Sequence, residues 1–327
     1  MLPELAVELR AALGVQHKRE IQSAARHLST VRGGPWGAGE VRLGDDTAAI
    51  PDRDGEYLLL AAEGIWPELV SSEPHFAGYC AVLVNASDVY AMGGRPLAIV
   101  DALFSTDAEA AEPIWKGMTA AAALLNLPIV GGHTNLHSPY AALAAAVLGR
   151  ARCLLTSFAA RPGHDLIAAI DLRGKMHGEH AFWNATGAAP AERLRADYEV
   201  LPLLAEQGLA AAAKDISMGG LFGTTLMLLE ASGVGAVLSL NQIPRPEGVP
   251  WKKWLLTFPS YGFVLSVPPG HSPRVLQAFR DRKIAAEVVG RIDASRRLEI
   301  ESRGERVNLW DLAEAPLTGF AGEDRAA

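Results

Sequence analysis

Five carboxylates stand where chemistry could use them and packing alone would not ask for them. Asp45 and Asp46 are adjacent in RLGDDTAAI (42–50), between a glycine and a short apolar run. Like charges repel, and strands disfavour aspartate. Glu63 ends the apolar run LLLAAEGIW (58–66), and Asp88 lies within NASDVYAMGG (85–94). Asp215 opens DISMGGLFGTTLMLLEASG (215–233). Hard Mg²⁺ takes carboxylate oxygens and keeps several waters, so one or two carboxylates from each of several segments make a site. Each position also has a plain alternative. Asp45–Asp46 reads as a solvated turn, Glu63 as a rim charge facing water, and Asp215 as an N-capping residue. On a helix Asn85 and Asp88 share a face, so an amide partner would compensate a buried Asp88 as a metal would.

Glycines accompany these acids. Gly219 and Gly220 precede a long apolar helix, whose free N–H groups suit a phosphate. Gly131 and Gly132 in GGHTN (131–135) permit close backbone approach after a buried strand, and the side chains that follow are expected to point into a cleft. His133 there reads as a ligand, a base or a hydrogen-bonding group. HGEH (177–180) is not the HExxH zinc pattern, and Lys175 beside it is a candidate cation for substrate. GGPWGAG (33–39) lacks the Lys-Ser ending of a P-loop and reads as a lid over phosphates or a linker. No GxSxG elbow and no nucleophile with an obvious base is present.

The elements that must hold these residues follow from periodicity. Residues 1–30 pattern as amphipathic helix and 32–40 as loop. Strands are expected over 41–50, 57–65, 97–104, 128–130 and 140–148. Helices are expected over 75–91 and to Leu125 from a cap at Thr106. After a change of texture near 150–163, strands are expected over 164–171, 235–240, 261–267 and 285–292. Helices are expected there over 190–207, through Ala231 and over 270–282. The implied division is an N-terminal helix and loop (1–40), one domain over 41–152, a second over 153–316, and a loose tail over 317–327. The class is α/β or α+β.

Bulk composition narrows the function. A chain of 327 residues with 49% hydrophobic and 20% charged residues is globular. Net charge −7 argues against general affinity for nucleic acid or anionic membrane. Cys80 and Cys153 are expected as buried reduced thiols, and no apolar run reaches membrane-spanning length, which points to the cytoplasm.

Taken in order, GDDTAAI, AAEGI, GYCAVLVNASDVYAMGGRPLAIVDALF, IVGGHTN, RPGHDLI and DISMGGL resemble the superfamily of aminoimidazole ribonucleotide (AIR) synthase, thiamine-monophosphate kinase, selenophosphate synthetase and the hydrogenase-maturation dehydratase. The resemblance runs over about 40–290 and is most specific at NASDVYAMGGRP. It implies a two-domain PurM-like fold, with an N-terminal sheet forming a barrel across a homodimer and a C-terminal α/β domain flanking an ATP cleft. It implies ATP and Mg²⁺ as cofactors, with Asp45, Asp46, Glu63, Asp88 and Asp215 in the magnesium–phosphate role, Asn85 supporting Asp88, and the four glycines near the nucleotide. The implied reaction phosphorylates an oxygen of a small molecule, as in the synthases. A small-molecule kinase and an inactive nucleotide- or partner-binding relative are the alternatives. Glu63 stands where the kinase branch has aspartate, and His133 where relatives have an acidic residue. Neutral imidazole coordinates magnesium poorly. The site therefore holds fewer ions, or His133 contacts substrate or acts as a base.

Overall fold

The computed structural model describes residues 2–28 and 41–320; the glycine-rich segment 32–40 lies outside them. The chain opens with α1 (Leu2–Ala11) and α2 (Leu13–Leu28), and then divides into two compact units. The smaller comprises Thr47–Cys153 and Ala189–Pro202; the larger comprises Met1–Asp46, Leu154–Ala188 and Leu203–Ala327.

The smaller unit contains β1 (Ala48–Pro51), β2 (Tyr57–Gly64), α3 (Pro67–Ser72), α4 (Pro74–Ala91), β3 (Arg95–Phe104), α5 (Ala108–Leu125), β4 (Ile129–Asn135) and β5 (Ala142–Ala151). Its sheet runs β1-β2-β5-β3-β4, antiparallel except for the parallel pair β3–β4. One sheet face, carrying Leu59, Ile99, Leu103, Leu143, Ala145 and Val147, is buried. Helix α4 packs on α5 with backbone against backbone: a Cβ on Gly78 would overlap Ile114, and one on Gly117 would overlap His75. The α5 cap is Asp107, accepting from the Ala110 N–H at 2.8 Å, one residue after the expected Thr106. A carboxylate is the better acceptor, and the Thr106 hydroxyl donates to it at 3.1 Å. Helix α6 (Ala191–Tyr198) belongs to the same unit.

The larger unit is built on seven strands ordered β15-β14-β10-β13-β6-β12-β9. These are β6 (Asp165–Ile170), β9 (Ala212–Asp215), β10 (Gly235–Ser239), β12 (Gly262–Val267), β13 (Ala285–Asp293), β14 (Arg297–Ser302) and β15 (Glu305–Asp311). A small sheet joins β7 (Lys175–Met176), β8 (Phe182–Asn184) and β11 (Phe258–Pro259). Helices α8 (Gly220–Ser232), α9 (Trp251–Leu256) and α10 (Ser272–Arg280) complete it, and its core also takes in Leu2, Leu5 and Leu9 of α1.

Three expectations change. The strand expected from Val41 begins only at Ala48, because side-chain hydrogen bonds hold 44–46 as a turn. The helix expected over 190–207 is two, α6 and α7 (Val200–Glu206); Pro202 has no N–H to continue an unbroken ladder. GGHTN lies inside strand β4, which runs through it to Asn135, rather than following the strand.

Candidate functional site

In the larger unit the two adjacent aspartates have different partners. Asp45 accepts from the Thr156 hydroxyl at 2.6 Å, the Ser157 hydroxyl at 2.5 Å and the Ser157 N–H at 3.0 Å. It also takes the Asp46 N–H at 3.1 Å. Its acceptor capacity is spent on clamping the turn to the 154–157 segment. Gly44, at φ +103°, starts the turn, and a Cβ there would meet Phe320 at 2.5 Å. The Asp46 side chain, only 6% exposed, instead pairs with the ammonium of Lys214 on β9 and accepts the Asp215 N–H at 3.2 Å. Asp215 ends β9, buried, and offers a carboxylate oxygen within 4.8 Å of one from Asp46.

Burial pushes the Asp46 carboxyl up from its ordinary value, and the Lys214 charge beside it pulls the other way. Lys214 is pulled down by burial, but Asp46, Asp45 and Asp215 outweigh that and hold it above the ordinary lysine range. The ammonium therefore keeps its proton. Sequence reading missed Lys214, because a lysine between alanine and aspartate carries no mark of burial.

The loop after Asp215 is held from both sides. Thr224 of α8 donates to the Asp215 carbonyl at 3.1 Å, and Lys18 of α2 donates to the Ser217 hydroxyl at 3.3 Å. Gly219 (φ +93°) and Gly220 (φ +63°) both need the left-handed region. A Cβ on Gly220 would also run into the Leu255–Leu256 backbone. The N-cap of α8 is Gly219, with no side-chain cap, so Asp215 is not the helix cap. Residues 317–319, expected as the start of a loose tail, are anchored. The buried Glu230 carboxylate accepts from Leu317 N, Thr318 N and Oγ1, and Gly319 N, at 2.6–3.3 Å.

In the smaller unit Asn85 and Asp88 lie one turn apart on α4, both buried. Asn85 Nδ2 donates to the Ala81 carbonyl at 2.8 Å, while its Oδ1 is buried with no partner among the described residues. Glu63, at the exposed end of β2, stands in one row across the sheet with Ala145, Asp101 and Gly132. Asp101 is a second residue that sequence reading missed, although an aspartate inside VDALF was a visible anomaly. Its Oδ2 is buried without a partner among the described residues, and desolvation raises its pKa. Gly132 is glycine for a local reason: a Cβ there would overlap the Asp101 carboxylate. Gly131 and His133 pair in register with Val100 and Ala102, on the other sheet face. The exposed His133 ring lies 5.9 Å from Phe104. His133 therefore points away from the face that carries Asp101.

Other candidates resolve more simply. His177 and His180 stack on each other at 6.1 Å, and Lys175 is exposed on β7. Cys80 is buried, and desolvation raises its pKa to about 12. Cys153 is exposed, contrary to expectation, because the chain leaves the sheet just after Ala151. No helix among the described residues is long and apolar enough to cross a membrane.

Comparison with known proteins agrees with this architecture. Residues 44–151 match the N-terminal domain model of AIR synthase related proteins, and residues 172–303 match the C-terminal one. The chain is 49% identical to the uncharacterized protein sll0787 of Synechocystis sp., over 99% of this chain and 100% of that protein. It is 27% identical to phosphoribosylformylglycinamidine synthase subunit PurL of Bradyrhizobium sp., over 86% of this chain and 41% of that subunit. In fold it resembles Thermotoga maritima PurL complexed with FGAR, at TM-score 0.75 and 19% identity, covering 99% of this chain and 54% of that one. It also resembles AaThiL complexed with AMPPCP and TMP, at TM-score 0.64 and 18% identity, covering 89% and 96%. The chain thus spans about half the length of the PurL proteins it matches. With both domain models in order along one mixed α+β two-domain chain, it belongs to the AIR synthase-related family.

Proposed function

We propose that this protein is an ATP- and Mg²⁺-dependent enzyme that phosphorylates an oxygen of a small-molecule substrate and works as a homodimer. One observation carries the reading: Asp46 and Asp215, far apart in sequence, present carboxylate oxygens within 4.8 Å of each other directly before the glycine-led start of α8. An all-oxygen, carboxylate donor set fits a hard divalent ion. Asp46 and Asp215 in the larger unit, with Glu63 and Asp88 in the smaller, are assigned to the metal and phosphate. Asp45 holds Asp46 in place, and Asn85 supports the Asp88 turn. Gly131, Gly132, Gly219 and Gly220 are assigned to nucleotide contacts. The carboxylates assigned to the metal would hold a magnesium ion, which would supply positive charge against the transferring phosphoryl group. The carboxylates orient that charge and need form no covalent intermediate, which agrees with a sequence that offers no activated nucleophile.

A small-molecule kinase is the second reading. It is favoured by the likeness in fold to AaThiL, whose whole length this chain nearly matches. The discriminating experiment is ATP turnover with and without Mg²⁺ over a panel of amides, carboxylates and phosphate esters. Asp88→Asn and Asp215→Asn are expected to lower turnover at least about 100-fold in a folded protein. Phosphate released only when an amine is present identifies a ligase; phosphate kept on the product identifies a kinase. His133→Gln separates the last candidate, since a proton carrier lowers turnover and leaves nucleotide affinity alone. Absence of ATP and ADP binding in calorimetry overturns both enzyme readings in favour of an inactive relative.

A further inference from the structure

Lys214 is a charge that the scheme above does not use. Its side chain is 4% exposed and paired with Asp46, and the charges of Asp45 and Asp215 also act on it. A buried ammonium is expensive to desolvate, and a structural role would be served as well by an apolar residue and an uncharged partner. The carboxylates around it decide what else the place can hold. Asp45 is committed to hydroxyl and N–H donors. One oxygen of Asp46 takes Lys214 and the other takes the Asp215 N–H. Each Asp46 oxygen keeps one lone-pair direction, but an ion that shared the oxygen bonded to Lys214 would stand directly beside the ammonium and be repelled by it.

We propose that Lys214 is a built-in cation of the Asp46–Asp215 site, standing where a second divalent ion would otherwise sit, so that this site takes a single divalent ion. The inference rests on the reading that Asp46 and Asp215 bind a metal. Asp45, Asp46 and Asp215 with the Lys214 ammonium carry a net charge of −2, which one divalent ion cancels, whereas a second ion would bring the cluster to +2. Lys214 acts through Asp46 and is a positioning residue: it fixes which oxygen of Asp46 faces the ion.

The test is the number of manganese ions bound, followed by the electron paramagnetic resonance signal of free Mn²⁺ during titration of the full chain. Wild type and Lys214→Arg are expected to bind one tight ion per chain. Lys214→Gln, which removes the charge, and Lys214→Met, which also frees an Asp46 oxygen, are expected to bind two. Lys214→Met combined with Asp46→Asn is expected to lose that second ion. A lysine that only supports the fold would change the melting temperature and leave the count alone. An unaltered count in the neutral variants, beside a wild type that binds manganese, overturns this inference and leaves the metal reading standing. If neither neutral variant folds, the wild-type count decides: one ion upholds the inference and two or more overturn it. A wild type that binds no manganese overturns the metal reading itself.

Discussion

Asp45 and Asp46 are neighbours with opposite needs, and substitution should separate them. Asp45→Asn keeps the shape but removes the charge that four donors share, at a cost of about 1–3 kcal/mol. Asp46→Asn leaves a buried ammonium without its counter-charge, which costs about 3–5 kcal/mol. Chemical denaturation should rank the two in that order; equal losses would mean that Lys214 finds another partner. Asp101 makes a pH-dependent contribution of the opposite kind. Its folded pKa is raised by desolvation, so the folded state binds the proton more tightly than the unfolded chain. Stability from this group is present below about pH 4, the unfolded value, and is lost as pH rises through the folded value. Asp101→Asn removes that loss, so its advantage in melting temperature over wild type should widen from about pH 3 to about pH 6. A constant difference would show that Asp101 is paired in solution. The thiols differ too: one equivalent, Cys153, should react with a thiol reagent in the native protein and two in denaturant. At this scale the sequence displayed most of the acids, because a charge in an apolar run is conspicuous. Lys214 was hidden because its burial depends on Asp46, 168 residues away.

Elements were legible where the pattern was local. The α4 and α5 helices, β2, β3 and β12 lie where periodicity places them, since burial on one or all sides writes itself into the sequence. The turn at 44–46 was not legible, because the Thr156 and Ser157 donors that make it lie in a distant segment. The hairpin β14–β15 was overlooked although its signal was present. Leu298, Ile300 and Ser302 alternate as buried residues, and Arg303–Gly304 both have positive φ, as a two-residue hairpin turn requires. The start of α8 is an element whose form depends on one glycine. Gly220→Ala meets both an unfavourable φ and the Leu255–Leu256 backbone, so it should cost at least about 2 kcal/mol and weaken nucleotide binding. Gly233→Ala, at the other end of α8, also has positive φ but open space around it. It should cost less, and leave binding unchanged. Nucleotide titration of the two variants separates strain at the α8 start from general loss of stability.

At the scale of the whole molecule, the five-stranded sheet of the smaller unit has one face covered by helices and, among the described residues, exposed apolar side chains on the other. Leu60 (47% exposed), Leu97 (43%), Val100 (39%), Val130 (64%) and Leu148 (38%) lie on four neighbouring strands. Leu60 and Leu148 are direct register partners, and Val100 pairs with Ala146 on the same face. Exposed apolar side chains grouped on one face are the feature an interaction surface presents. The occupant assigned to it under the proposed function is a second copy of the chain. The chain spans about half of the PurL proteins that it matches, so two copies supply about the length that one PurL chain has. A second copy could also cover the edge strand β4, whose outer side is unpaired among the described residues. Sedimentation velocity should therefore give twice the 34.7 kDa chain mass for wild type. Val100→Asp combined with Leu148→Asp should give the single-chain mass with native circular dichroism, since two charges per copy at an apolar interface find no partners. Leu203→Asp, equally exposed on α7, should leave the dimer intact. A wild type that stays at the single-chain mass up to high micromolar concentration would remove the second copy from the proposal and leave this face to a different protein partner.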